Sequence, residues 1–381
     1  MLVEITNTRI AIGIIVLIVL LMLFTTLIVN FDSVAANSLN KLGMGFTSGA
    51  IAALSYIPGA QARKELDTGE YVDITSVYDI TMPLLTMRQA QAMINRWINT
   101  LPLTDEFGDN DDIKELCNYS LINGKRLRGI IVYEMARLAN EINNENDRGL
   151  TELDISNGVL AVEYIHSASL VIDDMSYFDN DMYRRGELAA HAKFGPAKAH
   201  MGSLVLLTAS GLCVSRQIDV CKNSSYMAFI NHFINTKLQH TAIGQHLDIE
   251  PKSIETHTLV DLMSRKTSTL FEISVILGWI FGGGLNNVKI TKTIYDLPEI
   301  KDLTSVGNSI GLALQLADDI ADVEDDKDNN KNYATAYGID QARSELNKHI
   351  VNARDILQKH KLWSELWSEI CVTIVRIAIT D

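Results

Sequence analysis

The chain has 381 residues, with 33 Lys and Arg against 47 Asp and Glu, for a formal net charge of −14. With no basic stripe to offset it, that balance excludes nucleic acid as a partner and disfavours charge-driven docking on anionic lipid. Cys117, Cys213, Cys221 and Cys371 lack zinc-type spacing and form no disulfide framework, so buried or free thiols are expected.

In chain order, residues 1–9 form a short flank. Twenty residues from Ile10 to Val29 then carry no charge. At 1.5 Å rise per residue they make a helix of about 30 Å, the thickness of a bilayer core, which predicts a transmembrane helix over 10–29. A buried core helix is one rival reading. A cleaved signal peptide is a stronger one, because Val34-Ala35-Ala36 resembles a cleavage site. The run exceeds a usual signal core and only Arg9 precedes it, which favours an uncleaved anchor. Glu4 and Arg9 before the span, and Asp32 and Lys41 after it, are too balanced to fix orientation. Residues 30–82 read as a linker. Within it, 42–57 is apolar but rich in Gly, Ala and Ser and is stopped by Pro58-Gly59, which suits an interfacial segment or a short second crossing.

Residues 83–381 have the pattern of one all-α domain of about 300 residues. Ala90, Met93, Ile94 and Trp97 form an apolar helical stripe, and similar stretches run over 130–138, 159–172 and 204–214. No alternating strand pattern is visible. Breaks are expected at 143–146, 222–225, 282–284 and 325–332.

Two aspartate clusters follow apolar helical runs: Asp173, Asp174 and Asp179, then Asp318, Asp319 and Asp322. Crowded carboxylates at a helix end repel one another and lose solvation, which a divalent cation would relieve. Asp318 and Asp322 share a helical face. Asp173 and Asp179 are six positions apart and do not, so the helix must end or distort between them. A solvated acidic helix end is the bland alternative for either cluster alone. Cations for a charged ligand such as diphosphate are at hand in Gly124-Lys125-Arg126-Leu127-Arg128 and Arg184-Arg185-Gly186. His166 and His191, taken alone, read as ordinary satisfied histidines.

The order of these motifs resembles the trans-isoprenyl diphosphate synthases, or polyprenyl synthetases. Between the Gly-Lys-Arg-x-Arg run and the second Asp-Asp-x-x-Asp lie Glu163-Tyr164-Ile165-His166, the first aspartate cluster, Arg184-Arg185-Gly186, His191, Phe194-Gly195, Gly244-Gln245, Lys266-Thr267 and Gln315. The match covers roughly residues 85 to 340 and is geranylgeranyl diphosphate synthase-like. The anchored architecture resembles virus-encoded trans-prenyltransferases.

The resemblance implies a single large helical bundle of the isoprenoid synthase type. It implies Mg²⁺, three ions per site, held by Asp173, Asp174 and Asp179 with Asp318, Asp319 and Asp322. Asp173, Asp174, Asp179, Lys266, Asp318 and Asp319 would be catalytic. Isopentenyl diphosphate would meet Gly124, Lys125, Arg128, His166 and Arg185. The allylic diphosphate would meet Arg184, Lys266, Thr267 and Gln315. Ala168 and Ser169 match the floor that limits product length, and both are small, so a product beyond fifteen carbons is expected, with geranylgeranyl diphosphate favoured. A homodimer is implied too, as is a single-pass protein with its catalytic domain in the cytosol, on the host endoplasmic reticulum if the chain is viral.

The chain departs from the family pattern in places. Asn123 replaces a glycine and Gly129 a proline; Ile172, Ser203 and Leu314 stand for a histidine, an aspartate and a phenylalanine. After the second motif Lys327 and Lys331 are available, but the usual glycine-lysine segment is not clear. Two other readings stand beside elongation. A class I terpene cyclase needs no second diphosphate site, which Lys125, Arg128 and Arg185 argue against. A non-catalytic membrane scaffold would be marked by lost acidic residues, and none is lost.

Overall fold

The computed structural model describes residues 84–379, except 103–105, 144–149, 152, 222–223, 250–255, 287, 289–292 and 325–330. The expected transmembrane helix 10–29, its flank 1–9, the linker 30–82 with its segment 42–57, and Lys327 lie outside the described residues. Parts of the expected breaks at 143–146, 222–225 and 325–332 do as well.

The first helices are α1 (Met87–Thr100), α2 (Asp111–Ser120), α3 (Leu127–Asn143) and α4 (Ser156–Asp173). A hairpin, β1 (Tyr183–Arg184) and β2 (Glu187–Leu188), precedes α5 (Ala190–Phe194), α6 (Pro196–Val220) and α7 (Met227–Ile249). Then come α8 (Thr256–Met263), a π turn (Ser264–Ser268), α9 (Thr269–Phe281), α10 (Pro298–Ala321), α11 (Tyr333–Tyr337), α12 (Ile339–Lys359) and α13 (Glu365–Ile377). The all-α expectation holds for the described residues except for the hairpin. Its strands have two residues each, too few for alternation to register in sequence.

Local chemistry explains the element ends. Thr86 and Gln89 close a reciprocal capping box at the start of α1. Pro196 and Pro298 open α6 and α10, where a missing N–H costs nothing. The stripe predicted on α1 is the buried one: Ala90, Met93, Ile94 and Trp97, with Ile98.

The bundle is organised around α9, all thirteen residues of which are buried. Its neighbours are α3, α10, α7 and α4. Contact is close because a Cβ on Gly278 would lie 2.5 Å from the Val132 carbonyl oxygen on α3. Outside this core, α4 packs along α6, and α12 along α10. By length and composition α6 is apolar enough to cross a membrane; here Leu206, Ala209, Cys213 and Val214 are buried in the bundle. All four cysteines are free thiols, and burial pushes Cys117 and Cys371 up to about 12, so neither is a reactive thiolate.

Candidate active site

The helix carrying the first aspartates ends where the spacing requires. α4 stops at Asp173, and Asp174 caps it. The chain then folds into a tight turn, with Asn180 in the left-handed region at φ 56°, and the Asp179 N–H donates to the Asp173 carbonyl at 3.0 Å. The turn is pinned from below by Met175, fully buried among Leu116, Val171, Ala190 and Ala199. Apolar residues thus fill the gap between acidic ones because they anchor the loop that regroups them.

Burial, opposed by Lys266 and reinforced by Asp179, pushes Asp173 up to about 6. Burial also raises Asp174 and Asp179. In the second motif, burial outweighs Lys125 and raises Asp318 to about 6. Asp322 follows at the cap of α10, its N–H bonded to the Asp318 carbonyl at 2.9 Å. Asp319 differs: it is buried, with Oδ1 accepting from Gln315 Nε2 at 2.9 Å and Oδ2 from the Tyr333 N–H at 2.8 Å. Thr267 Oγ1 donates to Gln315 Oε1 at 2.8 Å. Asp319 therefore ties the predicted Thr267 and Gln315 to the start of α11.

The hairpin explains why two adjacent arginines serve different partners. Arg185 (φ 55°) and Gly186 (φ 83°) form its two-residue turn, with Arg184 paired to Glu187. Gly186 supplies the positive φ that the turn requires. Arg184 lies on one side, bonded to Asp174 and, at 2.9 Å, to Asp181. Arg185 reaches the other way, its Nη1 donating to the Ile122 carbonyl at 3.0 Å, beside the Lys125 segment. Arg128 Nη1 meets His166 Nε2 at 3.2 Å and its guanidinium lies 4.3 Å from the Phe271 ring centre. Burial first, then Arg128 and Arg185, hold His166 well below its ordinary value, so it is a neutral imidazole accepting at Nε2. His191 is buried with Nδ1 unbonded among the described residues.

Lys266 and Thr267 sit on the π turn. It is gripped by two glycines: a Cβ on Gly244 would lie 2.6 Å from the Lys266 nitrogen, and one on Gly311 2.4 Å from Ser268 Cα. Lys266 pairs with Asp248, which also meets Lys331 Nζ at 3.6 Å. Asp248 was not among the predicted residues, although it lies one turn after Gly244 on the same face. Of the two candidate lysines after the second motif, Lys331 is the one the described residues place at this cluster.

The two floor positions separate. With about 100° per residue, Ser169 shares the half-buried stripe of Asp173 and His166, whereas Ala168 is fully buried in the core. Ile165 and Val162 continue the Ser169 stripe downward and are closed off at 1% and 0% exposure. Among the described residues no three His, Cys, Asp or Glu side chains form a ready cage for an ion. Paired carboxylates completed by ligand phosphate and water suit Mg²⁺ better than such a cage.

Residues 110–353 match the model of the polyprenyl synthetase family. The chain belongs to the polyprenyl synthetase family. Within it, a trans-prenyltransferase of African swine fever virus is 31% identical over 283 residues, 72% of this chain and 79% of that protein. A farnesyl diphosphate synthase of Bacillus subtilis is 29% identical over 70% of this chain and 90% of its own. Solved structures share the polyprenyl synthetase fold. A geranyltransferase from Legionella pneumophila aligns with TM-score 0.60 at 19% identity, over 77% of this chain and 94% of its own. A geranyltranstransferase from Thermotoga maritima aligns with TM-score 0.58 at 18% identity, over 76% and 97%.

Proposed function

We propose that the chain is a membrane-anchored trans-prenyltransferase. It would join isopentenyl diphosphate head-to-tail to dimethylallyl, geranyl or farnesyl diphosphate. The observation that carries this reading is two sets of cations flanking α4. Arg184, Lys266 and Lys331 lie around Asp174 and Asp248. Arg128 and Arg185 gather near His166 and Ile122, with Lys125 facing Asp318. Two sets suit two diphosphates, which an elongating enzyme binds and a terpene cyclase does not. Activities named for the relatives support the same reading.

The donor set fits Mg²⁺: hard carboxylate oxygens, with Asp173 and Asp318 raised by burial and therefore gaining from a counter-charge. Asp173, Asp174 and Asp179 would hold it with Asp318 and Asp322, while Asp319, both of whose oxygens are bonded to Gln315 and Tyr333, would brace the second motif. Bound there, Mg²⁺ supplies charge neutralisation to the departing diphosphate. The chain's own groups do the rest. Lys266, Lys331 and Arg184 hold the allylic diphosphate as its C–O bond breaks and both electrons leave with oxygen. Thr267 and Gln315, bonded to each other and through Gln315 to Asp319, would border the allylic side of the site. Lys125, Arg128 and Arg185 set the isopentenyl double bond against the cationic carbon. The new C–C bond forms, and a proton passes to an oxygen of the released diphosphate. His166 is neutral and bonded to Arg128, which keeps it in a binding role.

The product is geranylgeranyl diphosphate. Small Ser169 admits the growing chain past the aspartates, and Ile165, one turn lower, closes the way. The apolar run 10–29 anchors the enzyme with its catalytic domain in the cytosol, at the endoplasmic reticulum of a host if the chain is viral. Met201 and Leu212, exposed on α6, support a homodimer through that face.

The test is to incubate the purified chain with isopentenyl diphosphate and each allylic primer, with and without Mg²⁺, and separate the products by chromatography. Twenty-carbon product only with Mg²⁺ is expected. Failure to elongate any primer would sink the proposal.

A further inference from the structure

The segment from Asn123 to Gly129 carries Lys125 and Arg128, yet its backbone is costly to hold. Asn123 and Arg126 both lie in the left-handed region, at φ 57° and 59°. Arg126, only 4% exposed, points inward. Its Nε donates to Asn95 Oδ1 at 2.8 Å, its Nη1 to Glu163 Oε2 at 3.1 Å, and its Nη2 to the Leu121 carbonyl. Gln91 Nε2 holds the Gly124 carbonyl at 3.0 Å, and a Cβ on Gly124 would strike the Arg126 guanidinium at 2.6 Å.

Glu163, 1% exposed on α4, has its second oxygen engaged as well: Oε1 accepts the Gly129 N–H at 2.9 Å. A proline at 129 has no N–H to give. One carboxylate therefore binds the segment at Arg126 and at Gly129, on either side of Arg128. With Arg126 drawn inward, Lys125 is left exposed, and Arg128 is free to reach His166.

We infer that Glu163 is the positioning residue of the isopentenyl diphosphate site, setting Lys125 and Arg128 through Arg126 and the Gly129 N–H without touching substrate. This rests on the elongation reading proposed above. A buried charge pair broken on one side leaves its partner uncompensated, so loss of Glu163 frees Arg126 to swing out and lets the segment relax. The allylic side, built on the π turn and the Asp173 loop, is untouched.

The test uses the full chain and Glu163→Gln, with each substrate varied while the other saturates. The expected result is a KM for isopentenyl diphosphate raised about tenfold, with the KM for geranyl diphosphate and kcat within about twofold of wild type. Glu163→Gln/Arg126→Gln, which removes both buried charges, should fold even if the single variant does not, and should show the same split. Gly129→Pro should raise the same KM alone. Equal shifts in both KM values, or a lowered Tm with neither KM changed, would overturn the positioning role and leave the elongation reading intact. A wild-type chain that elongates nothing would overturn both.

Discussion

The Asp179 N–H donates to the Asp173 carbonyl oxygen at 3.0 Å, so a backbone hydrogen bond returns the third aspartate to the first. Replacing either carboxylate with Asn leaves that bond in place. Asp173→Asn and Asp179→Asn should therefore fold and keep or raise Tm, because one of two mutually repelling carboxylates is neutralised. Turnover should fall by on the order of 10²-fold or more. Thermal melts beside single-turnover assays would check both halves.

Acidity should act on affinity and on stability in opposite senses. Asp173 and Asp318, pushed up to about 6 by burial, keep protons in the ligand-free fold that the unfolded chain has already lost. Between the ordinary carboxylate range and about pH 6, the ligand-free fold should lose stability as pH rises. Cation binding needs the deprotonated forms, so Mg²⁺ affinity should rise over the same interval and level off above it. Melts and Mg²⁺ titrations across pH 4.5 to 7.5 would show a common trend instead if other groups dominate.

Ser169 and Ala168 should answer differently to enlargement. Ser169→Phe fills the stripe below Asp173 and should shift product from twenty carbons to fifteen with little change in Tm. Ala168→Tyr overpacks a fully buried position, costing about 1–3 kcal/mol, and should lower Tm before it changes product. Product chromatography and melts on both variants would separate the two roles.

Asp248 should matter as much as the predicted motif residues. It holds Lys266 and meets Lys331 at 3.6 Å, so Asp248→Asn should release both. The KM for the allylic substrate should rise by about tenfold, near the worth of one charge-assisted hydrogen bond. Lys331→Ala should produce part of that effect. An unchanged allylic KM in both would remove this cluster from the site.

The π turn offers a purely steric test. Gly311→Ala places a methyl 2.4 Å from Ser268 Cα, which backbone must move to accommodate. The expected cost is about 1–3 kcal/mol, with kcat lowered because Lys266 and Thr267 move with the turn. Circular dichroism melts and kcat at saturating substrate would report the two effects.

Much of the site was legible because its chemistry is local in sequence. The break after Asp173 followed from six-residue spacing, and Thr267 and Gln315, both placed at the allylic diphosphate by the resemblance, are bonded to each other. What escaped depends on packing. Asp248 is one carboxylate on an exposed-looking helix, and only its distance to Lys266 marks it. Asp319 looked like its two neighbours, yet a rotation of one residue turns it towards Gln315 and Tyr333. Ala168 and Ser169 are adjacent in sequence, but one residue of helix sends them to different faces. The hairpin was missed because two residues per strand leave no alternation to read.

The burial of α9 on every side, directly after the turn bearing Lys266 and Thr267, links the enzyme's chemistry to its most protected segment. Because every residue of that helix is buried, its amides should exchange with solvent only through global unfolding. Activity should then survive moderate denaturant without gradual decline and disappear within the unfolding transition itself.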